Sequence, residues 1–215
     1  PATQASGQGF VVDIYATDNY WNPVSSYDAV RVTSTDPGAN TPVSGALSGG
    51  YVQLALTLGT VGEQTLTATD VTNGAIAPMT SAPVTVIPSA PDHFEISQIP
   101  SPVTAGEAVA VTIRAVDVGG NTIPGYQGNA ILMANTGPGS IVPEAIVFTD
   151  GVWATDMIFR GAGNVVSFTC SDFSMPPHTG TSNSFQVLPG PFVGLQVLLP
   201  GQTPQPLVHE RHQLR

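Results

Sequence analysis

The chain has 215 residues, of which 41% are hydrophobic and only 9% charged, against roughly 25% charged in an ordinary soluble protein. Such a chain can bury a core, so disorder is excluded as its resting state. Its net charge is −10 and its five basic residues include no lysine, so it lacks the cationic face that nucleic acid or an anionic membrane surface requires.

A lone cysteine, Cys170, allows neither an internal disulfide nor a cysteine-based zinc site. No apolar run approaches the roughly 20 residues of a membrane helix, and the opening residues do not form a signal peptide. The chain therefore reads as a mature protein or a piece of a longer one. Its 23 glycines and 20 prolines favour short strands joined by tight turns.

The first element in chain order is GFVVDIYA (9–16), where Phe10, Val12, Ile14 and Ala16 alternate with outward positions. Period two predicts a strand with one face buried. ATDNYWNPVSSY (16–27) follows as a turn-rich loop, then YVQLALTL (51–58), EQTLTATD (63–70) and TSAPVTVIP (80–88) as further strand segments. After Pro88-Ser89-Ala90-Pro91 the order begins again. PDHFEISQI (91–99) predicts an opening strand with Phe94 and Ile96 inward, and AVAVTIRA (108–115) aligns with 9–16. AVDVGGNTIPGY (115–126) then aligns with the first loop: Ala16, Asp18, Asn22 and Tyr27 fall on Ala115, Asp117, Asn121 and Tyr126. VWATDMIF (152–159), NVVSFTCS (164–171) and TSNSFQVLP (181–189) complete the second copy, with Gly50 on Gly151, Gly62 on Gly163 and Asp70 on Asp172.

One pattern of about 100 residues thus occurs twice. About seven short strands per repeat, with no helical periodicity, predict an all-β protein of two tandem immunoglobulin-like β-sandwich domains. The expected boundaries are 1–90 for a repeat lacking its first strand, 91–190 for a complete repeat, and 191–215 for an extra strand with a tail. Cys170 aligns with Ala68 on the inward face, as a small buried hydrophobe.

The A-x-D-x-x-x-N loop, a Tyr five residues on, a later Gly-started strand and a closing [ST]-x-x-V-x-V-x-P together resemble the bacterial immunoglobulin-like repeats of large cell-surface and extracellular proteins, of the invasin/intimin and filamin-like kind. The resemblance spans nearly the whole chain. It implies a spacer, stalk, adhesin or envelope component, extracellular or on the cell surface, whose partners are copies of itself or adjacent repeats.

Both ends of the pattern are uneven. The first repeat has no counterpart of PDHFEISQI, whereas after Gly190 the chain continues PFVGLQVLLP (191–200), with Leu195 and Val197 on Phe94 and Ile96. One reading is a piece of a longer array. The other is donor-strand assembly, in which Phe192, Leu195, Val197 and Leu199 of one copy fill the first repeat of the next and a head-to-tail contact that does not close builds a filament. Burying such side chains stabilises by roughly 1.5–3 kcal/mol each.

Enzyme chemistry is not expected: no nucleophile elbow, phosphate loop or zinc-protease motif occurs. Two imidazoles in HERH (209–212) read as a solvated tail. Calcium is the better chemical hypothesis, with Asp117, Asn121, Asp172 and Asp92 as oxygen ligands near the linker, and Asp18, Asn22 and Asp70 as their counterparts. Tyr20 and Trp21, which replace Gly119-Gly120, form a ligand platform in the adhesin or carbohydrate-binding alternative. Trp153 and Tyr126 are the other rings available to a sugar; Trp153, within a strand, is expected to pack.

Overall fold

The computed structural model describes residues 2–195, 197, 200 and 201. Its first nine strands are β1 (Thr3–Ala5), β2 (Gly9–Tyr15), β3 (Ala29–Ser34), β4 (Val43–Ala46), β5 (Tyr51–Thr57), β6 (Gly62–Gln64), β7 (Leu66–Asp70), β8 (Met79–Thr80) and β9 (Val84–Ile87). Eleven more follow: β10 (His93–Ile96), β11 (Val103–Thr104), β12 (Ala108–Val116), β13 (Asn129–Ala134), β14 (Ile141–Val142), β15 (Ala145–Val147), β16 (Val152–Phe159), β17 (Gly163–Val166), β18 (Phe168–Ser171), β19 (Thr179–Thr181) and β20 (Phe185–Leu188). No helix among the described residues is long and apolar enough to cross a membrane.

The sheets confirm the all-β tandem architecture. In the first repeat they run β1-β9-β6, β2-β5 and β4-β3-β7-β8; in the second they run β11-β20-β17, β10-β12-β16-β14 and β15-β13-β18-β19. β1 pairs parallel with β9 as β11 does with β20. No sheet mixes strands from the two groups.

Two segments read as single strands are each split. The first breaks at Thr65 into β6 and β7, the second at Ser167 into β17 and β18, and the two halves join different sheets. A side chain holds each crossing: Thr65 N–H donates to Thr35 Oγ1 (2.9 Å) and Ser167 N–H donates to Asn135 Oδ1 (3.1 Å). Unbroken alternation hides such a switch, because both halves keep facing the same core.

One glycine pair shows why the loops recur so faithfully. Gly50 and Gly151 both lie at positive φ, +93° and +76°. A Cβ at Gly50 would stand 2.0 Å from the Val24 carbonyl oxygen, and at Gly151 2.3 Å from that of Ile123. Only glycine lets the loop backbone approach so closely.

The cores differ in kind. The first is aliphatic, with Val32, Leu54, Leu56, Leu58, Leu66, Val84 and Val86. The second holds the buried rings of Phe94, Phe148, Phe159, Phe168 and Phe185, with Cys170 buried among them. β10 explains part of the difference. It pairs with β12 and delivers Phe94, which stacks on Phe148 at 4.9 Å. Nothing among the described residues pairs with the corresponding edge of β2. Tyr27 is accordingly 76% exposed, whereas its counterpart Tyr126 packs edge-on to Phe94 and donates to Asp172 Oδ2 at 3.0 Å.

Beyond β20 the described residues form no further strand. Phe192, Val193, Leu195 and Val197 are 82–86% exposed, as apolar residues are when a strand segment has no partner. Leu199 and the HERH segment lie outside the described residues.

Candidate functional site

The repeated Asp–Asn loop is built alike in both copies. Asp18 Oδ1 accepts the Tyr20 and Asn22 N–H groups at 2.8 and 2.9 Å, and Asp117 Oδ1 accepts those of Gly119 and Asn121 at 2.9 Å each. The Asn side chain donates back to its Asp in each loop. Asp N–H donates to the Asn carbonyl at 3.0 Å in both. Trp21 and Gly120 occupy the same position at φ +66° and +77°. Positive φ is strained for a bulky residue and free for glycine, so the local bonds hold Trp21 in a conformation it would not choose.

The surroundings of the two loops differ. The second loop is a plug seated on the pole of the first repeat. Asn121 Nδ2 donates to Gly59 O at 2.7 Å and to Ser6 Oγ at 3.0 Å, while its Oδ1 accepts the Val61 N–H at 3.2 Å. Asp117 is fully buried, and its Oδ2 accepts the linker N–H of Ser89 at 3.0 Å. Val118 packs where a Cβ on Gly7 would be 2.5 Å from its Cγ1. Gly119 fits only as glycine: a Cβ there would meet Ser6 Oγ at 2.6 Å and Gly59 O at 2.7 Å. Each of the three cross-repeat bonds is worth about 1 kcal/mol, and together they tie the second loop to the first repeat.

The electrostatics follow the same design. Burial alone would raise the pKa of Asp117, but bonds from Asn121, Ser89 and Gly119 outweigh it and hold the carboxyl below its usual range. Asp36, beneath the first repeat's pole, behaves likewise: desolvation opposes it and bonds from Thr60, Gly38 and Gly59 prevail. By accepting the Gly59 and Thr60 N–H groups, Asp36 shapes the surface on which Asn121 sits.

The expected calcium ligands do not converge. The Asp117 oxygens are filled by N–H donors of its own loop and the linker. Asp172 accepts from Tyr126, Ser174 and His178, and Asp92 pairs with the His93 ring. Asp70 accepts the Thr72 and Asn73 N–H groups. Among the described residues no three His, Cys, Asp or Glu side chains gather as a metal site.

Of the rings singled out, Tyr20 and Trp21 are 83% and 70% exposed. Trp153 is half-buried against the second core, and Tyr126 packs there too. Sequence reasoning missed the socket: Ser6, Gly7, Gly59 and Val61 carry no motif. The available signal was the change from Gly119-Gly120 to Tyr20-Trp21 inside an otherwise repeated loop.

No protein-family model matches the chain, and no curated protein matches it. Solved structures align with most of its length. The D00-D0 domain of intimin aligns over 87% of this chain and 95% of that one, at 13% identity and a TM-score of 0.44. The Escherichia coli adhesin FdeC aligns over 87% of this chain and 62% of that one, at 20% identity and 0.40. A β-glycosidase from Bacteroides vulgatus aligns over 83% of this chain and 23% of that one, at 14% and 0.38.

Proposed function

We propose that the chain is a structural segment of an extracellular or cell-surface protein: two immunoglobulin-like sandwiches set at a fixed angle so that they space or carry what lies beyond them. The observation that supports this best is the seating of Asn121 on Ser6, Gly59 and Val61, with Asp117 gripping the linker at Ser89. A flexible tether needs no such joint. Low charge density fits a mechanical role.

Small-angle scattering tests it. The wild type should scatter as one elongated shape, and Asn121→Ala should broaden the distance distribution while both repeats stay folded. Equal curves for the two proteins would count against a built joint.

A second reading has its own support: the edge of β2 carries no strand, and Phe192, Leu195 and Val197 are exposed. Head-to-tail strand addition would use both, with Leu199 extending the set. One difference constrains it. The Phe94 carbonyl of β10 passes where a Cβ on Gly180 would be 2.1 Å away, and Met79 stands at that place in the first repeat. An added strand must therefore run further from β8 than β10 does from β19. Filaments from the intact chain but not from one ending at Gly190 would establish this reading, and monomers from both would remove it.

A further inference from the structure

Of the chain's asparagines only Asn73 precedes a glycine, Gly74. Both lie exposed in the loop between β7 and β8. Asp70 Oδ1 anchors the start of this loop by accepting the Thr72 and Asn73 N–H groups at 2.9 and 2.8 Å, and Thr72 Oγ1 accepts the Ala29 N–H at 2.9 Å. The Asn73 side chain folds forward over the next peptide, with Oδ1 accepting the Ala75 N–H at 3.1 Å. The ring closed by that bond contains the Gly74 nitrogen, so the amide carbon Cγ is turned toward it. The same bond aims an N–H dipole at the oxygen that becomes negative when Cγ is attacked.

Other asparagines lack one part of this arrangement. Asn22 is followed by Pro23, whose nitrogen carries no proton. The side chains of Asn121, Asn135 and Asn183 are held through both oxygen and nitrogen, and a residue with a Cβ follows each. Among the described residues Asn73 Nδ2 has no protein acceptor, so nothing retains it as a leaving group. Gly74 has no side chain to crowd its nitrogen. The fold does not demand glycine there: its φ is outside the left-handed region, and a Cβ on it would meet nothing within 4 Å.

We propose that Asn73 is a site of self-modification, at which the folded loop converts its own amide to an acid. The Gly74 backbone nitrogen gives its proton to hydroxide and attacks Asn73 Cγ. The Cγ–Nδ2 bond breaks, and Nδ2 takes a proton from water and leaves as ammonia. The product is a cyclic imide. Water then opens it at either carbonyl. Attack at Cγ gives aspartate with the ordinary backbone; attack at the former Asn73 peptide carbonyl gives isoaspartate, whose backbone runs through Cβ and Cγ. The balance is water taken up and ammonia released, with no change of oxidation state. Holding the reacting groups within one small ring replaces an encounter with a positioned step. Either product adds a carboxylate near Asp70, and isoaspartate lengthens the loop by a methylene. The loop is exposed, so the change stays at the surface and leaves the first core untouched. This inference goes beyond the structural-segment reading and does not depend on it.

Peptide mapping by mass spectrometry tests it, on the full chain aged in mildly alkaline buffer made with heavy-oxygen water. The peptide holding Asn73 should lose its amide before any other asparagine peptide and take up heavy oxygen. It should split into aspartate and isoaspartate forms, the second accepting a methyl group from an isoaspartyl methyltransferase. Asn73→Gln, whose longer side chain disfavours the ring, should yield no isoaspartate at this position. Gly74→Ala should slow the loss roughly tenfold, as a barrier higher by about 1.4 kcal/mol would, while circular dichroism shows the fold intact. An Asn73 peptide that keeps its amide, whether or not another asparagine reacts, overturns the proposal. So does loss of the amide without isoaspartate, or a Gly74→Ala variant that reacts as fast as the wild type. The scattering test of Asn121 reads a different property, so either claim can fail without the other.

Discussion

The Asp18–Asn22 and Asp117–Asn121 loops are the same object in two settings. Both fold on an aspartate that accepts the same two backbone N–H groups, and both turn at a residue of positive φ. One is buried against a neighbour through Gly119; the other holds two aromatic rings in solvent. The internal bonds decide the shape, and two tip residues decide what the shape can touch. A motif shared by repeats therefore reports how a loop is made, while its departures report what the loop is for.

The largest expected effect comes from β10, which has no counterpart among the described residues of the first repeat. Phe94→Ala removes a buried ring stacked on Phe148 and should cost about 3–5 kcal/mol. Calorimetry should show the second repeat's transition falling and the first repeat's staying in place. Both moving together would mean the cores are coupled more tightly than separate sheets imply.

Next come Gly50→Ala and Gly151→Ala. Each drives a Cβ into a loop carbonyl at positive φ, and each should destabilise its own repeat by about 1–3 kcal/mol. Similar losses would confirm that the loops share one design. Acid should separate the repeats again. Asp172 is held well below its ordinary value: burial opposes ionisation, but bonds from Ser174 and His178 outweigh it. A depressed folded-state pKa contributes stability above the unfolded value of about 4, lost as pH falls through the folded one. Melting followed from pH 5 to pH 2 should thus weaken the second repeat most, together with the joint at Asp117, while Asp36 gives the first repeat a smaller loss. The smallest effect is at the free loop: Trp21→Gly relieves the strained backbone and should raise the first repeat's stability by about 0.5–1 kcal/mol.

Much of this was legible beforehand. Alternation placed β2, β5, β12 and β16, and the offset pairs predicted equivalences that the registers repeat, such as Ala68 and Cys170 opposite Val32 and Leu132. The split at Thr65 and Ser167 was not legible, because inward phase survives a change of sheet. Asp117 and Asn121 were singled out as calcium ligands, and the structure shows them bonding their own loop, the linker and the first repeat. Spacing alone cannot tell a carboxylate that faces a cation from one that faces N–H groups. Ser6 and Gly59 were invisible, since a socket made of a hydroxyl and backbone atoms leaves no pattern.

The account turns on the joint between the repeats. Residual dipolar couplings, collected for both repeats in one aligned sample, test it most directly. A common alignment tensor, with Asn121→Ala splitting it in two, is the predicted result. Two tensors of different magnitude in the wild type would mean that the repeats move independently and that Asn121 fixes nothing.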